Sequence, residues 1–313
     1  MNIVEMAPGT VLAHSGPPPA PADLWGSWTL DPILLIALAA LAGLYYRGLT
    51  RLWGRTGIDR AVRVWRAECF AGGLAVLVAA LVSPLDALGS ALFTAHMVQH
   101  LLLIAVAAPL LVLGAPLAPI LLALPATWRR VAVRRLRSRR LCAAVRLLRG
   151  PAATWGIATA TLWLWHAPAL FEAALRSQPI HAIEHGFLLG SACLFWLSVL
   201  PERKRGSLLR PSSVLYLLAM AAQGTVLGIA LAFSRSPWYA AYAGTAVAWH
   251  LSPLEDQQAA GLVMWVPAGA VYLAAALALI GRAIAGPMNE RRRIGGAVGG
   301  GEDDVPREYS SQA

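Results

Sequence analysis

His96-Met97-Val98-Gln99-His100 places two imidazoles four residues apart, near the head of an apolar run that continues to Leu113. At that spacing the rings stack one turn apart on a single helix face, so two nitrogens can converge on one ion. The run is long and apolar enough to cross a bilayer. An ionisable pair inside it is a functional-site hypothesis, because hydrocarbon penalises polar groups that lack partners. The competing reading is that each histidine hydrogen-bonds a neighbouring helix, since polar side chains also join membrane helices. The choice rests on where the other histidines fall. His181 and His185 repeat the same spacing, His166 ends another apolar run, His250 precedes the last one, and His14 lies in the N-terminal tail.

The elements that must position these residues follow from composition. The 313 residues are 58% hydrophobic and 13% charged, about half the charged share of a soluble domain. The expected fold is all-α: a polytopic membrane protein with seven transmembrane helices at approximately 30–46, 67–82, 91–113, 152–169, 182–200, 212–233 and 261–281. Basic residues alternate between the connections. The N-terminal tail and second loop have none, and the fourth and sixth loops carry only Arg176 and Arg235. The remaining 24 of the 26 basic residues fall in the first, third and fifth loops and the C-terminal end. The positive-inside rule then puts the N-terminus outside and the C-terminus in the cytoplasm.

This gives an extracytoplasmic Pro-rich tail over 1–29 and a seven-helix membrane domain over 30–285. A polar cytoplasmic tail, expected to be disordered, follows over 286–313. The first 31 residues hold no Lys or Arg, so they lack the basic start of a cleaved signal peptide. Within the cytoplasmic loop at 117–150, Leu117 to Leu124 is too short to span. Trp128 to Leu148 reads as a basic interfacial helix on the inner leaflet. The net charge of +10 is thus matched to anionic lipid and not to nucleic acid. Cys69, Cys142 and Cys193 form no CxxC or CxxCH motif, which excludes a redox dithiol, a c-type haem attachment and a thiolate zinc site. The sole lysine, Lys204, falls in a cytoplasmic loop, which excludes a retinal Schiff base.

The long sixth loop is aromatic (Trp238, Tyr239, Tyr242, Trp249), a composition suited to the headgroup layer. It ends in Ser252-Pro253-Leu254-Glu255, a capping box that starts the last helix at about 253; Ser83-Pro84-Leu85-Asp86 opens the third in a similar way. With orientation set, all seven histidines fall on the outer side. His96, His100, His166, His181 and His185 are the candidate metal ligands, with His250 a further candidate. Imidazole suits copper, zinc, iron and nickel, and thioether sulfur favours Cu(I), so Met97 and Met264 are further candidates. Glu172, Glu184, Asp86, Glu255 and Asp256 share the outer side and can orient imidazoles, Asp256 also being a possible ligand.

Several blocks then carry a resemblance: HMVQHLLL with APLLVLGAP at 108–116, WHAPALFEAAL at 165–175, IHAIEH at 180–185 with FW at 195–196, and SPLEDQQAAGLVMW at 252–265. In this order they resemble the CtaG-like family of bacterial cytochrome c oxidase assembly factors, seven-span proteins linked to copper. The resemblance points to His96, His100, His166, His181 and His185, with Asp256, Gln257 and Gln258. It implies a non-enzymatic role in the bacterial inner membrane, handling copper for the oxidase. The partners implied are cytochrome c oxidase subunits or other copper-handling assembly proteins. An unrelated single-span family of the same name binds copper through Cys-x-Cys, which is absent from this sequence. Two other functions stay open: a bis-histidine haem electron carrier, and a metal transporter, although the inner halves of the spans offer little polar lining beyond Gln223 and Ser198.

Overall fold

The computed structural model describes residues 18–139, 143, 150–200 and 211–298. His14, most of the expected interfacial stretch beyond Arg139, and the fifth loop fall outside those residues. Among the described residues every regular element is helical. In chain order they are α1 (Pro32–Thr56), α2 (Val64–Leu81), α3 (Pro84–Ala91), α4 (Phe93–Leu113), α5 (Leu117–Ala123) and α6 (Ala126–Leu136). After these come α7 (Pro151–Trp165), α8 (Pro168–Arg176), α9 (Gln178–Val199), α10 (Pro211–Ala232) and α11 (Pro253–Val298).

Local chemistry sets most boundaries. Asp31 caps α1 by accepting from the amides of Ile33 (2.7 Å) and Leu34 (3.3 Å), with Pro32 at the first position. The helix runs past the expected end at residue 46 to Thr56, where Arg51 donates to the carbonyls of Leu122 and Ala123 at the end of α5. Ser83 caps α3 through the Leu85 amide. Ser252 and Glu255 form the expected reciprocal box, at 2.9 and 3.2 Å, and α11 starts at Pro253.

Among the described residues, six helices are long and apolar enough to cross a membrane: α1, α2, α4, α9, α10 and α11. The expected fourth span is α7, which has 15 residues and so a length of about 22 Å. Pro168 stops it early, because the residue before a proline is held out of the α region; Ala167 is extended at ψ 128°.

α4 is the axis of the bundle. One face joins a core with Phe93, Met97, Phe171 and Trp196, and another joins a second core with Leu103, Leu111, Tyr45 and Phe70. Its middle, Leu102–Ala107, is π-helical, a widening often found beside functional sites. Apolar side chains such as Ile36, Val226, Val266 and Leu277 face outward, more than half exposed, whereas His96, Gln99, Glu184 and Asp256 are fully enclosed. That inverse distribution suits a protein whose solvent is lipid.

α10 and α11 meet backbone to backbone. A Cβ on Gly261 would lie 2.5 Å from the Gly228 carbonyl oxygen and 2.6 Å from the Ala232 nitrogen, the close approach that small residues permit. Gly261→Ala is expected to cost about 1–3 kcal/mol through overpacking, read as a lower thermal midpoint in detergent. An unchanged midpoint would show that the helices separate at no cost.

Candidate metal centre

The histidines gather at the end of the bundle where α4 and α9 begin. α4 brings His96 and His100, α9 brings His181, Glu184 and His185, and the break between α7 and α8 brings His166. All six are buried, His185 being the most exposed at 8%. The basic residues of the first loop lie at the opposite end, where Arg66 donates to the Leu113 carbonyl at the close of α4.

His96 Nε2 and His100 Nε2 are 3.0 Å apart. The Glu184 oxygens lie 3.9 Å from the first and 3.7 Å from the second. Together with His185, these four residues offer ligand atoms within 4.8 Å of one another. One ion with bonds of about 2.0–2.2 Å holds its ligands at most about 4.4 Å apart, so small side-chain rotations would gather the set. His181 packs beside the group, its ring 4.1 Å from His185 and 5.3 Å from His96. The His166 ring is 5.7 Å from that of His100.

The donor set itself points to a cation. Neither Glu184 oxygen nor His100 Nδ1 has a hydrogen-bond partner among the described residues. A fully enclosed carboxylate without donors is costly, and a positive ion between it and the imidazoles would offset that cost. The residues present therefore fit a metal ion of the imidazole-binding class.

The surroundings set the orientation of the rings. The Tyr242 hydroxyl donates to the Gly89 carbonyl at 2.9 Å, so toward His96 Nδ1, 3.5 Å away, it presents only a lone pair. His96 is thereby held with its proton on Nδ1 and its Nε2 lone pair facing the cluster. Gln99, between the two α4 histidines, donates to the Ala80 carbonyl (2.8 Å) and to Asp86 Oδ1 (2.6 Å), while Thr29 donates to Asp86 Oδ2. Asp86 thus braces α4 through Gln99. Sequence reasoning passed over Gln99, although an amide inside an apolar span must find partners and was the available signal.

Other candidates lie apart from the cluster. Asp256 on α11 accepts from the Phe93 and Thr94 amides at 2.7 and 3.0 Å, and its carbonyl accepts from the Thr94 hydroxyl. It is an N-cap for α4 supplied by another helix, placed at the positive end of that helix's dipole. Gln257 and Gln258 reach no imidazole: the first accepts from the Trp238 amide at 2.6 Å and the second donates to the Ser234 carbonyl, so both tie down the connection to α11. Glu172 accepts from the Ala240 amide and pairs with Arg176. His250 is exposed, in a left-handed conformation that ends a short 3-10 turn. Met97 and Met264 line a cavity together with His100 and His166.

Two rings of the aromatic loop turn inward, whereas Trp238 is exposed. Tyr239 and Tyr242 are each 2% exposed and stack against Phe93, with centroids at 4.7 and 5.6 Å. Their hydroxyls are satisfied by backbone carbonyls, of His166 (2.8 Å) in the case of Tyr239 and of Gly89 in the case of Tyr242. A tyrosine hydroxyl taken inside needs such a partner. Burial pushes both phenols above their ordinary value, keeping them protonated donors. The loop roofs the histidine chamber.

Residues 43–285, a stretch holding every histidine of the cluster and the start of α11, match the family described as cytochrome c oxidase caa3 assembly factor (Caa3_CtaG). No curated protein and no solved structure matches the chain. With more than three quarters of its length matched, the chain belongs to the cytochrome c oxidase caa3 assembly factor family.

Proposed function

We propose that this protein is a non-catalytic assembly factor that holds copper for cytochrome c oxidase at the outer face of a bacterial inner membrane. The observation that carries the reading is the enclosed group His96, His100, Glu184 and His185, with ligand atoms within 4.8 Å and a carboxylate lacking donors. These four residues would hold the ion, with His181 and His166 beside them. Copper, when bound, supplies the transferable cation that an oxidase centre needs. The chain's own residues orient the imidazoles (Tyr242, and Gln99 through Asp86) and exclude water (Phe171, whose ring is 4.9 Å from His96). A cleft lined by Thr29, Asp31, Asp86 and Gln178 reaches His181 and His185, a route by which an oxidase subunit or a copper-handling partner can exchange the ion.

Two alternatives fit less well. Rings that touch at 4.1–4.4 Å within each pair, with Glu184 and Phe171 filling the gap, suit a bare ion better than a haem plane. Gln223, midway along α10, is engaged by the Trp163 indole, and toward the other end of the bundle Ser198 pairs with Thr154. Those polar groups serve helix contacts, not a transport path.

The test is metal analysis of full-length protein purified from copper-supplemented membranes. His100→Ala and His185→Ala should each remove the copper that the cluster holds, and the double substitution should be little worse, because ligands of one ion act as a unit. Oxidase assembly should fall in parallel while the protein still accumulates. Full copper and full oxidase in both variants would defeat the reading.

The proposed topology has seven crossings with the N-terminus outside. α7 is the short one, packed along α9 and α10, with α8 at the outer boundary; α6, where Trp128 and Val131 are exposed, lies on the inner leaflet. A reporter active only outside the cytoplasm should work when fused after Ser90 or Ser177 and fail after Arg139 or Gly206. An active Arg139 fusion would reverse the orientation.

A further inference from the structure

Beside the His/Glu cluster, His166 and Met97 face each other in a way that neither helix packing nor hydrogen bonding accounts for. His166 Nδ1 is 2.7 Å from the Leu162 carbonyl oxygen. An oxygen acceptor at that distance requires the proton to sit on Nδ1. A second proton on Nε2 would make the ring a cation enclosed in apolar surroundings, which is heavily penalised. Nε2 therefore carries a lone pair, and 3.4 Å away it meets the sulfur of Met97, which has no proton to offer. Two lone-pair donors are directed at each other across a buried gap. Metal–nitrogen and metal–sulfur bonds of about 2.0 and about 2.3 Å together span more than that separation, so a single ion can reach both atoms.

The space next to this pair is built from the same chemistry. One cavity is lined by Met97, Met220 and Met264, together with His100 and His166. The three methionines come from α4, α10 and α11, and all are buried. Methionine often fills irregular core gaps, which alone would account for Met220 and Met264. It does not account for an imidazole lone pair held against the Met97 sulfur by a hydrogen bond on the far side of the ring. The Tyr239 hydroxyl on the His166 carbonyl further fixes the backbone at that point.

We infer that His166 and Met97, with sulfur from Met264 or Met220, form a second metal site selective for monovalent copper, distinct from the His/Glu cluster but sharing the wall formed by His100. Thioether sulfur with one imidazole selects a soft monovalent ion, whereas an imidazole set with a carboxylate also accepts divalent ions. The chain would then hold two adjoining places of different hardness. The inference relies on the proposed function only for copper as the cargo; the sulfur chemistry stands on the geometry of His166 and Met97.

The test uses full-length protein in detergent carrying Glu184→Gln and His185→Ala, which disables the cluster and leaves the sulfur site intact. Loaded with one equivalent of Cu(I) under reducing conditions, it should retain the ion. Copper-edge X-ray absorption should show a sulfur neighbour at about 2.3 Å. Growth on selenomethionine should replace that neighbour by selenium, a readout that needs no further substitution. Adding Met97→Leu, which nearly conserves volume, should weaken Cu(I) retention at least tenfold in competition with a chelator while leaving the fold intact. A shell of nitrogen and oxygen only, unchanged by selenomethionine, would overturn the inference and leave the cluster reading standing. Failure of the cluster-disabled protein to bind Cu(I), when wild type binds copper through nitrogen and oxygen, would do the same. No copper bound by wild type in either oxidation state would defeat both.

Discussion

Glu184→Gln is expected to leave the protein folded and to cut its stabilisation by copper by about a third or more. The Glu184 side chain is fully enclosed, faces His96 and His100 at 3.7–3.9 Å and receives no hydrogen bond. In the metal-free protein such a carboxylate is a burden of about 1–3 kcal/mol. The amide variant should therefore be as stable as wild type or more so without metal. With copper that advantage shrinks or is lost. Wild type should gain about 4 kcal/mol at a thousandfold excess over the dissociation constant, and loss of the anionic ligand should cut affinity tenfold or more, about 1.4 kcal/mol. Thermal unfolding in detergent, with and without copper, measures both signs in one experiment. If Glu184 served only to join α4 to α9 by ion pairing, the variant would be less stable without metal and would keep the full copper shift.

Asp256→Ala should produce the largest loss of stability among the polar substitutions at this end of the bundle. Its carboxylate satisfies one buried and one half-buried amide at the start of α4, at 2.7 and 3.0 Å, and sits at the positive end of the helix dipole. Leaving buried donors unpaired costs about 1–3 kcal/mol each, so a total of about 3 kcal/mol is expected, with Asp256→Asn recovering roughly half because one acceptor remains. Copper retention should fall as well, although Asp256 touches no histidine, because α4 carries His96 within its first turn after the cap. Chemical denaturation of both variants, with metal content measured on the folded fraction, checks the two effects together. A wild-type midpoint for Asp256→Ala would show that α4 starts without help from α11.

The resemblance to CtaG-like assembly factors, drawn from the blocks around His96, His166, His181 and Ser252, agrees with the family match over 43–285. The apolar runs located six membrane-length helices because a helix in lipid must satisfy its own backbone over about 20 residues. The fourth run, over 152–169, misled in length: Pro168 ends it by local backbone sterics that a hydropathy window averages away. The capping box at Ser252 and Glu255 was legible for the opposite reason, since both partners sit three residues apart and need nothing from the rest of the chain. The HxxxH spacings likewise determine that each pair shares a face, and position within each span puts the pairs at one end of the bundle.

Which face meets which was decided only by the tertiary structure. Periodicity records depth and angular position on one helix; it carries no information about the rotation of α4 relative to α9, which is what brings Glu184 among the ligand atoms and leaves His181 beside them. Asp256 shows the limit most clearly. In sequence it reads as an acidic residue in the first turn of its own helix, a candidate ligand or a carboxylate that orients the imidazoles. In the folded protein it caps a helix 162 residues away, because the amides of Phe93 and Thr94 need an acceptor and α3 ends too close to supply one. The tyrosines of the last loop follow the same logic. Their composition fits a membrane interface, but carbonyls left free at Gly89 and His166 give their hydroxyls partners inside. Partner choice among buried polar groups depends on contacts distant in sequence, and those exist only once the helices have packed.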